Sequence, residues 1–204
     1  PLCVSVTAGG WVLAGQALTR SGAAVSDRVW ITGTIGDAAL ALALAEQSLA
    51  NVASETRWLL DRLHRPTPRI GIGQALYGLA SAVIDISDGL LADLGQIVGA
   101  SGQAGAMIET TSLPLSPAGE SYLLEDRMTA ALTGGDDYEL CMTVPQAKSD
   151  RVRRLSEEAG VPLTDIGCIT DQAGITLTRA GVPIAGPSRS GYEHLWPVVR
   201  ERGS

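Results

Sequence analysis

"VIDISDGLLADLGQI", residues 83–97, joins an apolar β-branched run to an amphipathic one through a short acidic bridge. The run ending at Ile84 reads as a strand. Beyond it Leu90, Leu91, Leu94, Ile97 and Val98 recur on one helical face, which predicts a helix over 88–99 despite Gly89 and Gly95. The bridge carries Asp85, Ser87 and Asp88, three oxygen-bearing side chains where one cap acceptor would suffice. Such a junction is expected to gather unpaired backbone N–H groups at the positive end of a helix dipole. Two readings stand side by side. Ser87 or Asp88 is the N-cap and Asp85 a turn former, or the surplus oxygens serve Mg²⁺, which takes one or two protein carboxylates and completes its shell with water and phosphate.

Working outward, 2–7 and "RVWIT", 28–32, are further β-branched runs bounded by turn residues. "GTIGDAALALALAEQ", 33–47, turns at Gly33 and Gly36 and enters an Ala- and Leu-rich helix with Asp37 placed as its N-cap. A helix over 54–63 is interrupted by "HRPTPR", 64–69, because the residue before each proline is pushed out of the helical region. A third helix, 70–80, leads into the strand at 82–84. Downstream the pattern predicts a strand at 106–109, a helix at 121–131, the strand "YELCMTV", 138–144, and a charged helix at 147–159 closed by Gly160. "GITLTRAGVPI", 174–184, reads as a hairpin turning at Ala180 and Gly181. Strands and helices mixed in this way imply an α/β or α+β class with a mixed sheet flanked by helices.

At 204 residues the chain can bury a sizeable core without staples. Its formal charge of −7 argues against a nucleic-acid binder, which needs a clustered basic surface, so an anionic substrate would have to be met with the help of metal ions. Cys3, Cys141 and Cys168 have no paired spacing, so neither a disulfide framework nor a zinc site is indicated and a reducing cytoplasm fits. No apolar run approaches the roughly 20 residues of a membrane span.

Four other stretches carry candidate chemistry. "LTGGDDYEL", 132–140, offers two glycines that let a backbone approach a ligand, then Asp136 and Asp137; a plain acidic turn is the competing reading. "ALTRSGA", 17–23, supplies one cation, Arg20, ahead of small residues. "LHRPTPRI" holds His64, Arg65 and Arg69 but no nucleophile beside them. "GYEHLW", 191–196, places Tyr192 and Trp196 in a chain without phenylalanine, suited either to packing or to stacking on a flat heterocycle.

Taken in order, "GQALTRSGA", "ITGTIGD", "LHRPTPRI", "VIDISDGLLADLGQI" and "LTGGDDYELCMTVP" resemble the C-terminal part of the bacterial thiamine-monophosphate kinase family. That family belongs to the superfamily of aminoimidazole ribonucleotide synthetase and selenophosphate synthetase. The resemblance implies ATP-dependent phosphorylation of thiamine monophosphate to thiamine diphosphate with Mg²⁺, in a cytoplasmic homodimer that engages neither nucleic acid nor membrane. It implies metal binding by Asp85 and Asp88, ATP contacts from Ser87 and Arg20, and substrate contacts from Asp136 and from Tyr192 or Trp196. It assigns no protein residue a catalytic role, because the substrate's own phosphate oxygen attacks the γ-phosphate. The family carries Glu where this chain has Asp136. The resemblance also implies that residues 1–14 are the remnant strand of an N-terminal ATP-binding domain that is absent, with 15–204 forming the C-terminal kinase domain and the fragment alone inactive. Another enzyme of the superfamily, or a non-catalytic ligand-binding domain, is the alternative.

Overall fold

The computed structural model describes residues 3–46, 54–102, 105–120 and 122–191. A seven-stranded sheet forms its centre, in the order β2-β4-β1-β5-β3-β6-β7. The strands are β1 (Arg28–Thr32), β2 (Ala82–Asp85), β3 (Gly105–Glu109), β4 (Leu140–Val144), β5 (Leu163–Thr170), β6 (Gly174–Arg179) and β7 (Val182–Ile184). Among the described strands only β3 and β6 run parallel; every other pair is antiparallel. The expected mixed sheet with flanking helices is therefore what forms.

The helices are α1 (Asp37–Glu46), α2 (Ser54–His64), α3 (Ile70–Ala75), α4 (Leu90–Ala100), α5 (Leu124–Thr133) and α6 (Ser149–Ala159). Alternation along the strands divides the core into two faces. Val29 and Ile31 of β1, Ile108 of β3 and Ile166 and Ile169 of β5 meet Leu90, Leu94 and Ile97 of α4. On the opposite face Trp30, Met142, Val144 and Leu163 meet Ile72 and Leu76 near α3 and Val152 of α6. A third cluster, Leu40, Ala41 and Leu59, closes α1 on α2.

Four expectations change. Residues 3–13, which include most of the strand read at 2–7, carry no regular secondary structure and are exposed, because an alternating run becomes a strand only where an edge is there to pair with it. The third helix stops at Ala75 rather than 80: a turn follows, and Gly78 takes φ +65°, which a helix does not accommodate. β5, between β1 and β3, has no counterpart among the expected strands; Asp165 and Gly167 interrupt its apolar run, and the β1–β5 register shifts at Val29/Trp30. Gly167 is required there, since a side-chain carbon would strike the Met107 carbonyl of β3. The caps of α1 and α4 also differ, as described below. The hairpin falls where expected, with Ala180 and Gly181 at φ 50° and 76°, the two positive values of a type I′ turn.

Candidate active site at the end of β2 and β4

β2 ends at Asp85 and the chain turns through 86–89 into α4. The segment preceding β4 runs alongside it and extends the ladder: Tyr138 N donates to Ile86 O (2.8 Å), Ile86 N to Glu139 O (2.7 Å) and Asp136 N to Ser87 O (2.9 Å). The two acidic motifs, fifty residues apart in sequence, thus become neighbours. Gly135 packs so closely on the Ser87 carbonyl that no side chain fits. Asp85, Asp88 and Asp136 are exposed and Ser87 half-buried, so the carboxylates face solvent together.

Neither Ser87 nor Asp88 caps α4. Gly89 occupies the N-cap at φ 115°, and a side-chain carbon there would lie 2.8 Å from the Thr133 carbonyl carbon. The acceptor is Asp93, inside the first turn. Its Oδ2 receives the N–H groups of Ser87 (3.0 Å), Asp88 (3.0 Å) and Gly89 (3.2 Å). The amides expected to be free for an anion are therefore already satisfied. Burial raises the Asp93 carboxyl above its ordinary range, against the lowering effect of the Asp88 and Ser87 amides.

Asp137, which the sequence offered beside Asp136 as a ligand, points the other way. It is 1% exposed and caps α1: Oδ2 accepts from Gly36 N (2.7 Å) and Oδ1 from Ala38 N (3.4 Å). Asp37, read as that cap, is the first helical residue and accepts from the hydroxyls of Thr34 and Ser116 (both 2.5 Å). Burial, reinforced by the charge of Asp37 and opposed by the Gly36 and Ala38 amides and Arg62, pushes the Asp137 carboxyl up to about 7. Beneath the site, buried Glu139 accepts from Thr32 Oγ1 (2.6 Å), from Arg62 (2.9 Å) and from both Nε and Nη2 of Arg69 (2.7 Å each). Gly33 leaves the space that the Glu139 carboxylate fills. The "HRPTPR" break thus delivers a structural fork that fixes the acidic loop from below.

Tyr138 lies on the surface of this loop at φ 50°, an uncommon value for a bulky residue and one found at strained functional loops. Its hydroxyl donates to Asp136 Oδ1 (3.0 Å). That bond, then burial and the charges of Asp136, Asp85 and Asp88, raises the phenol above its ordinary value. Tyr138 and Asp85 share a cavity of about 420 Å³ with Arg69, Pro66, Pro68 and Leu140.

Arg20 does not join the cluster. It is exposed, and its guanidinium donates to Gln96, about 10 Å along α4 from the helix start at 1.5 Å per residue. Tyr192 and Trp196 lie outside the described residues; Gly191, just before them, packs on Ala92 and the Asp88 carbonyl. Sequence reasoning passed over Asp93, Glu139 and Tyr138. An acidic residue four places into a helix whose N-cap is glycine was the available signal for Asp93. Among the described residues no three His, Cys, Asp or Glu side chains converge as a complete metal cage, so a cation here would need ligand oxygens besides the protein's. Burial pushes the Cys141 thiol up to about 12, which removes it as a nucleophile.

Residues 24–179 match the family described as AIR synthase related protein, C-terminal domain. Thiamine-monophosphate kinase of Salmonella typhimurium (strain LT2) is 43% identical over 199 residues, covering 96% of this chain and 60% of the relative. The chain therefore spans less than two thirds of that relative's length. Among solved structures, thiamine-monophosphate kinase from Stenotrophomonas maltophilia K279a superposes with a TM-score of 0.77 at 44% identity, covering 81% of this chain and 54% of the other. AaThiL complexed with AMPPCP and TMP superposes with a TM-score of 0.72 at 29% identity, covering 87% and 54%. A family match over residues 24–179, together with a superposition at a TM-score of 0.77, means that the chain belongs to the AIR synthase related family and carries its C-terminal domain.

Proposed function

We propose that this chain is the C-terminal part of an ATP-dependent kinase that converts thiamine monophosphate to thiamine diphosphate. The observation that carries the proposal is the backbone pairing that sets the segment holding Asp85, Ser87 and Asp88 beside Asp136, with the three carboxylates exposed and the amides of 87–89 already occupied by Asp93. Such a surface repels a bare phosphate and accepts one that arrives with cations. The similarity to kinases, one of them solved with AMPPCP and TMP, supports the same reading.

The donor set fits Mg²⁺: two exposed carboxylates of hard oxygen type, short of a closed cage, which leaves positions for phosphate and water. Asp85 and Asp88 would hold the ion, whose chemistry is to offset charge between two anions brought together. Ser87 offers its hydroxyl to a nucleotide phosphate. Arg20, exposed and donating to the Gln96 side chain, is proposed to reach the nucleotide from the α4 side. Asp136, one methylene shorter than the family's Glu, is proposed to face the thiamine substrate, with Tyr192 or Trp196 against its ring. The protein's work is positioning: no side chain need attack, since the acceptor phosphate oxygen is the nucleophile. The remaining length of the relatives is proposed to supply an N-terminal domain that completes the ATP site and, through residues 1–14, joins this one. The whole is proposed to act as a cytoplasmic homodimer without nucleic-acid or membrane partners.

The test is formation of thiamine diphosphate from thiamine monophosphate and ATP by the full-length polypeptide carrying this sequence. Asp85→Asn and Asp88→Asn are expected to lower turnover by about a hundredfold or more with the fold intact, the scale of losing one preorganised electrostatic group. Normal turnover of both variants at limiting Mg²⁺, or turnover only with a different phosphoryl acceptor, refutes the assignment. The present chain alone is expected to bind Mg·ATP more weakly than micromolar by calorimetry.

A further inference from the structure

The acidic loop has a support that no ligand role accounts for. Asp93 is 1% exposed, yet a single oxygen of its side chain collects three successive amides, at 3.0, 3.0 and 3.2 Å. Ordinary capping brings one acceptor to one or two N–H groups from outside the helix. Here the acceptor sits inside the first turn and draws the preceding loop down over itself. The consequence is directional: with amides 87–89 turned inward, the side chains of Asp85, Ser87 and Asp88 remain on the solvent side. Other contacts close the loop from its flanks. The Ser87 carbonyl receives Asp136 N, Gly89 abuts Thr133, and Gly191 abuts the Asp88 carbonyl.

We propose, resting on the cation reading above, that Asp93 is a positioning residue: its carboxylate holds loop 86–89 in the shape that presents Asp85 and Asp88 as a preformed pair for a divalent cation. Groups behind metal ligands commonly govern affinity by tenfold or more, because a carboxylate on a loose loop must be ordered at the moment of binding. The same clamp accounts for an acid motif at a helix start that does not itself cap the helix.

The test uses ¹⁵N-labelled chain, hydrogen exchange of amides 87–89, and Mn²⁺ as probe, read as paramagnetic loss of the resonances of residues 85–88. In the wild type these three amides are expected to exchange slowly although the loop lies at the surface. Asp93→Asn keeps one acceptor oxygen without its charge and is expected to speed the exchange and raise the Mn²⁺ midpoint several-fold. Asp93→Ala is expected to deprotect all three and raise the midpoint by about tenfold or more. Rapid exchange of these amides in the wild type overturns the proposal, as does any folded Asp93 variant with deprotected amides and an unmoved midpoint. Should Asp93→Ala not fold, Asp93→Asn decides by the same criterion. Asp85→Asn with Asp88→Asn separates the two levels: if that pair leaves the midpoint unchanged, the cation reading itself fails. If it moves the midpoint while the Asp93 variants do not, only the positioning role fails.

Discussion

Asp137→Asn isolates the cost of ending a helix with a carboxylate placed under the core. Asp137 caps α1 through the Gly36 and Ala38 amides while 1% exposed, and its carboxyl is pushed from 3.8 up to about 7. The folded state therefore holds a proton that the unfolded chain has released. Where the native state binds more protons than the unfolded one, stability falls as pH rises. The contribution is fully present below about pH 4, declines across the interval, and is lost above about 7. At about 1.4 kcal/mol per pH unit the interval amounts to about 4 kcal/mol. Asparagine keeps an acceptor for the 2.7 Å bond from Gly36 and cannot titrate. The assay is urea unfolding followed by circular dichroism at half-unit steps from pH 4 to 8, with wild type and variant differenced at each step. Other buried acids such as Asp93, also raised by burial, then largely cancel. The variant is expected to gain on the wild type by about 1 kcal/mol per pH unit or somewhat more between pH 5 and 7, and to hold a constant lead above that. Parallel curves, or a wild type that gains on the variant with pH, would refute the reasoning.

Removing the acceptor of the fork beneath the site should be severe: Glu139→Ala leaves the mostly buried Arg69 guanidinium without its anion and Arg62 with the longer Asp37 pair (3.8 Å), a loss of about 3–5 kcal/mol read as a fall in Tm, with Glu139→Gln falling less. Gly89→Ala combines φ 115° with a carbon 2.8 Å from Thr133 and should cost about 1–3 kcal/mol by thermal unfolding. Gly95→Ala, in the same helix with nothing within 4 Å, should stabilise by about 0.5–1 kcal/mol, so opposite signs from two glycines six residues apart are the expected result.

The architecture was legible wherever periodicity was unbroken. α4 announces itself through Leu90, Leu94 and Ile97, and the final hairpin through Ala180–Gly181. β5 was hidden because its membership rests on pairing with β1 and β3, not on its own pattern: Asp165 is satisfied by Arg28 from the neighbouring strand (2.7 Å and 2.9 Å), and Gly167 by a close carbonyl. The surplus of oxygen-bearing side chains at 85–88 was visible in the sequence too, and Asp85 and Asp88 are exposed. Their supports were not. Which of two adjacent aspartates, Asp136 or Asp137, turns inward depends on the α1 terminus waiting a hundred residues earlier in the chain, and no local pattern encodes that. Likewise a capping search looks at the residues before a helix, whereas Asp93 acts from within it.

The position of β1 bears on how the molecule is made. Among the described strands β1 comes first in sequence, yet it ends up between β4 and β5, and the helix after it is capped by Asp137. None of those partners exists until synthesis has passed Asp137. Until then β1 lacks both of the strands it pairs with, so closure of the sheet is a late, long-range event rather than one that proceeds with the emerging chain. Nascent chains arrested before Leu140 should accordingly present this segment to proteases and chaperones, and those arrested beyond Thr170 should shield it.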